Sequence, residues 1–237
     1  MTKITALLLM LTFSAAPAYA ESAKEETHTK AVAENNYSVS LEGNWNDVDF
    51  YTLQADGTFG IGEHFGSSIG ANTIFINGDS DSSDFQNLRA SIFTRNPEVG
   101  RLELAYQTVF GPSNTSDYFS VTGEYYFSNW TIGAYFLSDD LTDLNDLNIY
   151  TNIYFTQTVR LEIDLLDSSD DSLVKGTIKF QLPEITGNEW IFNVSYGAAL
   201  WDNNQVGFGV TYVPKFNGSL KQYYRRYSTN IKAALFH

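Results

Sequence analysis

The sequence predicts an all-β protein, a transmembrane antiparallel β-barrel of about 12 strands. Three observations carry this: a period-two alternation of apolar and polar residues, connectors sorted by charge, and strands long enough to cross a bilayer. The alternation is clearest in "WIFNVSYGAALWDNNQVGFGVTY", residues 190–212. There Trp190, Phe192, Val194 and Tyr196, then Val206, Phe208, Val210 and Tyr212, alternate with small or polar residues across the turn "DNN". Such a pattern gives a sheet one apolar and one polar face.

At the start of the chain, "MTKITALLLMLTFSAAPAYA" has the layout of a secretory signal peptide. Lys3 precedes a short apolar run, and small residues end in Ala-Tyr-Ala, so cleavage is expected after Ala20. The apolar run is shorter than the roughly 20 residues a helical span needs. No later segment reads as a spanning helix, so any crossing of a membrane falls to strands. Residues 21–36 read as a polar periplasmic linker.

Strands are then expected near 37–44, 50–61, 67–77, 85–94, 100–110, 117–127, 130–138, 147–155, 158–167, 172–181, 189–201 and 205–212. Rows such as Leu102, Leu104 and Tyr106, or Val159, Leu161, Ile163 and Leu165, mark their apolar faces. The segment 67–77 fits least well, because Ile69 and Ala71 are out of phase with Ile74 and Ile76. Counts of ten or fourteen strands remain open. Many of the strands match the 9–11 residues of a tilted transmembrane strand rather than the 5–6 of a globular one. Aromatic residues at strand ends, among them Trp45, Phe110, Trp130 and Trp190, suit interfacial girdles.

The connectors divide by parity. The odd ones, "NDVD", "GDSDSSD", "GPSNTSD", "DDLTDLND", "DSSDD" and "DNN", hold 14 acids and no Lys or Arg. The even ones, "GEHFG", "RNPEV", "SN", "TQ" and "LPEITGN", are mixed in charge. A soluble sandwich has no reason to sort its loops this way; a membrane barrel does, because its two ends face different compartments.

The closing strand "QVGFGVTY" is similar to the signal by which barrel-assembly machinery recognises the last strand of outer-membrane proteins. Taken with "FGIGEHFGSSIGA", "SIFTRNPEVGRLELAY" and "YVPKFNGSLKQYYRR", residues 37–212 resemble the porin-like outer-membrane barrels of Gram-negative bacteria. The resemblance implies location in the cell outer membrane, contact with lipid and lipopolysaccharide, and transport through a diffusion channel. It transfers no binding or catalytic residues.

Other chemistries find little support. Of three histidines, His28 lies in the linker, His64 in an inner turn and His237 at the end, none near the outer rim where a barrel hydrolase needs one. The chain therefore reads as a non-enzyme. "GIGEHFG" lacks the helix that would hold a phosphate. "DSDSSD" and "DSSDD" lack the glycine and distal glutamate of a Ca²⁺ loop; solvated loops and weak divalent binding both remain open. With no cysteine there are no disulfides or thiolate metal sites. No cofactor is implied, and the acidic surface argues against nucleic acid.

If the apolar rows meet lipid, the alternate positions line the interior. The expected pore-lining residues are Glu42, Asp56, Arg89, Arg101, Glu103, Glu124, Arg160, Glu162, Asp164, Lys175 and Lys179, six acids and five bases. Two readings follow: a narrow water-filled channel for small hydrophilic solutes, or a closed, non-conducting barrel with a structural or adhesion role. Beyond the last strand, residues 213–237 carry Lys215, Lys221, Arg225, Arg226 and Lys232 and no acid. This basic periplasmic tail reads either as a disordered extension or as a segment whose Arg225 and Arg226 dock on an acidic surface such as the inner mouth.

Overall fold

Alternation of the kind seen in "GRLELAYQTVF" leaves a strand only one way to satisfy both faces in a bilayer. The sheet must close, so that no edge carries unpaired backbone groups. The computed structural model describes residues 30–45, 49–77, 82–139, 145–167, 172–199 and 204–227. They form a closed barrel in which every strand pairs antiparallel with its sequence neighbours, and the first pairs with the last.

The strands are β1 (Asn36–Trp45), β2 (Asp49–Ile61), β3 (Phe65–Asn77), β4 (Ser82–Asn96), β5 (Gly100–Phe110) and β6 (Thr115–Tyr126). Then follow β7 (Trp130–Asp139), β8 (Asn145–Tyr154), β9 (Val159–Asp167), β10 (Ser172–Gln181), β11 (Trp190–Ala199) and β12 (Asn204–Tyr212). The expected twelve are all present, with boundaries shifted by a few residues. The start of β1, the end of β12 and the even-numbered turns lie at one end of the barrel, the inner end.

Outward positions are apolar and exposed. On β5, Leu102, Leu104, Tyr106 and Phe110 face out, while Arg101, Glu103, Gln107 and Val109 are buried. The phase conflict in β3 resolves at its outer half: Ile69 and Phe75 face out, and Ile74 is buried inside. Near the inner end, Phe127 stacks on Trp130 at 4.2 Å and Trp190 packs on Tyr212 at 4.7 Å. Near the outer end, Trp45 contacts Tyr51 and Phe208. These are the two aromatic belts of a lipid-embedded barrel.

The inner turns are short. Val99 N–H closes 97–99 on the Asn96 carbonyl at 3.1 Å, and Phe127 N–H closes the next on Trp130 at 2.8 Å. Gly62, at φ +77°, opens the β2–β3 turn in the region glycine favours. The longer connection from β10 to β11 carries one helical turn, Pro183–Thr186. Of the outer connections, 111–114 is described, closed by Gly111 N–H on the Asn114 carbonyl at 2.8 Å. The acids Asp47, Asp79, Asp81, Asp140, Asp143, Asp170, Asp171 and Asp202 lie outside the described residues. The six other acids expected in outer connectors, Asp49, Asp84, Asp117, Asp139, Asp146 and Asp167, fall within β2, β4, β6, β7, β8 and β9, and Asp146 is buried.

The two segments flanking the barrel are folded against it where they are described. Ala31 and Val32, within the expected polar linker, are buried beside Phe93. Ala31 N–H donates to the Glu63 carbonyl at 2.6 Å. After β12, Val213, Phe216, Leu220 and Tyr223 pack on Ile191 in an apolar cluster. A short helix, Leu220–Gln222, is capped by Ser219, whose hydroxyl accepts from Gln222 N–H. It runs into a π-helical turn, Tyr223–Tyr227. The expectation of a disordered extension is therefore not met for 213–227; residues 228–237 lie outside the described part.

Candidate functional site

The interior is built by the inward half of each strand. All eleven expected lining residues occupy inward positions of the alternation, but the barrel uses them in two different ways.

On one wall, β4, β5 and β6 hold a chain of ion pairs. Arg89 Nη2 is 2.9 Å from Glu103 Oε1, Arg101 Nη1 is 3.4 Å from Glu103 Oε2, and Arg101 Nε is 3.2 Å from Glu124 Oε2. Tyr126 and Tyr150 donate their hydroxyls to Glu124 at 2.9 and 2.6 Å. These ionic side chains are at most 4% exposed. Charges this dry hold their place only when paired and hydrogen-bonded. Tyr150 reaches Glu124 across Gly133, its partner on β7. A Cβ at Gly133 would strike the Tyr150 ring. We expect Gly133→Ala to cost about 1–3 kcal/mol through overpacking, read from denaturant unfolding. A wild-type midpoint would show that the ring has room to move.

On the opposite wall the charges are wetter. Lys175 Nζ, on β10, lies 3.4 Å from Glu42 Oε1, on β1. The pair reaches past β11 and β12, which present Gly197, Gly207 and Gly209 to the interior. Its side chains are 25% and 33% exposed. Lower down, Arg160 pairs with Glu162, and Lys179 Nζ is 3.8 Å from the same carboxylate. Asp164 is buried beside Lys175 in the β9–β10 register. Asp56, on β2, accepts from Gln54 Nε2 at 2.7 Å and lies within electrostatic reach of Arg89, across Gly70.

The inner mouth is crossed by the segment that follows β12. Leu220 N–H donates to the Gln157 carbonyl at 2.8 Å. Tyr224 lays its ring on the Arg160 guanidinium, 3.5 Å from centroid to Cζ, with Lys179 at 5.2 Å. Burial pushes the Tyr224 phenol pKa up, which keeps the ring neutral beside these cations. Arg225 donates to the carbonyls of Phe127 and Trp130 at 2.5 and 2.8 Å and to the Thr131 hydroxyl at 3.3 Å. Its guanidinium also lies over the rings of Tyr126 and Tyr154. The far end meets the start of the chain: Ala33 N–H donates to the Arg226 carbonyl, and Asn36 Nδ2 to the Tyr227 carbonyl at 2.7 Å.

One interior residue escapes the sequence reading. Arg95 falls in the expected connector "RNPEV", yet β4 continues through Asn96 and buries it. Its Nη1 donates to the Ala31 carbonyl at 3.3 Å. The signal was its parity, six residues beyond Arg89 and so on the same face.

Comparison with solved structures places this architecture. The KdgM porin superposes with a TM-score of 0.58 at 13% identity, over 74% of this chain and 98% of that one. The chain has the porin-like barrel fold. A second structure, the KdgM porin in complex with disordered oligogalacturonate, matches equally well at 14% identity and the same coverage. The NanC porin matches the porin-like barrel at a TM-score of 0.54 and 10% identity, over 73% of this chain and 98% of that one. So does the Salmonella typhi outer membrane phospholipase (OMPLA), crystallised as a dimer with bound calcium, at 0.53 and 9% over 76% and 90%. No protein-family model and no curated protein matches the sequence. At these identities the likeness is one of fold.

Proposed function

We propose that the chain is an outer-membrane channel for passive diffusion of small hydrophilic solutes. The observation that carries this reading is the partly exposed Lys175–Glu42 pair on the glycine-bearing wall. A lumen packed solid would bury these charges as it buries Arg89, Arg101 and Glu103. Twelve strands lie between the side-chain-filled eight-stranded barrel and the open sixteen-stranded porin, which suits a narrow passage along one wall. The cleaved signal peptide, the assembly of the barrel from its last strand and the lipopolysaccharide contact all belong to this reading.

It is also a non-enzymatic reading. Among the described residues the one histidine is His64, in the inner β2–β3 turn and far from an outer-rim site. The oligogalacturonate bound by one structural neighbour makes an acidic saccharide the alternative solute class, which Lys175 and Lys179 would meet. The acidic outer mouth works the other way and favours cations.

Planar-bilayer recording tests both points. Step-like conductance is expected, with a modest cation preference at low salt that fades as salt screens the mouth over about 8–10 Å. Glu42→Gln should move the reversal potential toward anions, and Lys175→Met toward cations. Anion preference in the unmodified protein would replace the neutral or cationic solute by an acidic saccharide. A reproducible lack of conductance would favour the second reading, a non-conducting structural or adhesion barrel, for which the occupied inner mouth is the supporting feature.

A further inference from the structure

The segment across the inner mouth has two halves of different chemistry. Its base, from Val213 to Tyr223, is held by apolar contacts with Ile191 and by the Phe216–Tyr223 ring pair at 5.4 Å. Its tip, Tyr223–Tyr227, carries Arg225 and Arg226; carbonyls, a hydroxyl and ring faces hold Arg225, while Tyr224 and Tyr227 pack on the rim of the apolar cluster, with Tyr227 5.2 Å from Phe216. Water can take over hydrogen bonds of the second kind at little cost, whereas freeing the base exposes apolar area. The tip is also a single π-helical turn, a conformation that recurs at functional sites. Beside it lies a cavity of about 210 Å³ lined by Pro97, Glu98, Tyr126, Lys221, Arg225 and Arg226. Room and a charged, replaceable set of contacts thus occur together at the inner mouth.

We propose that Tyr223–Tyr227 is an inner gate hinged on the anchored base and moved by the voltage across the barrel. The inference rests on the channel reading above. Arg225 and Arg226 give the tip two positive charges. A potential negative on the inner side draws it out of the mouth and opens the pore; the opposite polarity seats it. One elementary charge crossing the full field shifts an equilibrium by about fiftyfold per 100 mV. Two charges crossing about a fifth of it shift the open-to-closed ratio about fivefold.

Single-channel recording tests the gate. The chain has no cysteine, so Ser113→Cys on the exposed outer turn, biotinylated and bound by streptavidin from one side, fixes the orientation of each channel. The expected result is an open-to-closed ratio about twentyfold higher at 100 mV inner-negative than at the reverse polarity, a span of about 200 mV. Arg225→Gln/Arg226→Gln should abolish the asymmetry, and Tyr224→Ala should raise the open probability at both polarities. A heat-dependent shift in gel migration verifies that each variant is a folded barrel. Equal, symmetric conductance in the unmodified protein and both variants would overturn the gate and leave the channel standing. Absence of conductance in all three would overturn the channel and the gate with it.

Discussion

Glu103→Ala should destabilise the barrel by about 3–5 kcal/mol, the largest effect expected of any single substitution in the interior. Glu103 bridges Arg89 and Arg101 with one carboxylate oxygen to each. Without it, two guanidinium groups face each other in a region that water does not reach, and Arg101 keeps Glu124 alone. The cost is that of uncompensated buried charge, which exceeds the net worth of the pair itself. Equilibrium unfolding in lipid vesicles, followed by the fluorescence of the four tryptophans, measures it. Lys175→Met, which breaks the partly exposed pair on the opposite wall, should change stability by less than about 1 kcal/mol. Equal losses from the two substitutions would mean that the network is as wet as the Lys175–Glu42 pair.

Val194→Arg should cost about 2–4 kcal/mol. Val194 is exposed near the middle of β11, so the arginine would stand in the hydrocarbon core of a bilayer. Its neighbour Asn193 points the other way and pairs with Gly209 across the seam with β12. Asn193→Arg therefore places the same group in the lumen, where the loss should be far smaller. Adjacent residues give the contrast its force, since the introduced side chain, the strand and the depth are shared. Similar unfolding midpoints for the two variants would contradict the assignment of the apolar face to lipid.

That assignment was legible in the sequence because side-chain period and burial are locked together in a strand. Leu102, Leu104 and Tyr106 identify the outside of β5 without any knowledge of its partners. β3 resisted because Ile74 turns inward, where a sheet interior accepts an apolar residue as readily as a polar one. The interior residues were legible by elimination from the same parity, but their grouping was not. Which acid of the neighbouring strand serves Arg101 depends on the β5–β6 register, which places it opposite Glu124, whereas Glu103 lies two residues along the same strand. Arg95 was missed because an apparent turn signal, Asn96-Pro97, sits directly after it. The charge reversal beyond Tyr212 left a disordered extension and docking on an acidic surface both open. How it docks was hidden: backbone carbonyls and ring faces carry no charge pattern, so Phe127, Trp130 and Tyr154 leave no mark as its partners.

The meeting of the chain's two flanks at the mouth also orders assembly in time. Among the described residues the β1–β12 seam has the shortest register of the twelve, seven paired positions from Val39–Tyr212 to Trp45–Val206. Arg225 and Tyr224 need β6, β7, β8 and β9 in place, while Arg226 and Tyr227 need residues at the entry to β1. Those groups surround a common mouth only after the seam has closed. The segment is thus the last to fold, and nothing it contributes can guide the earlier pairing steps. Its seating is a consequence of closure and therefore a mark of it: the contact of Asn36 with the Tyr227 carbonyl reports a barrel whose final seam has formed.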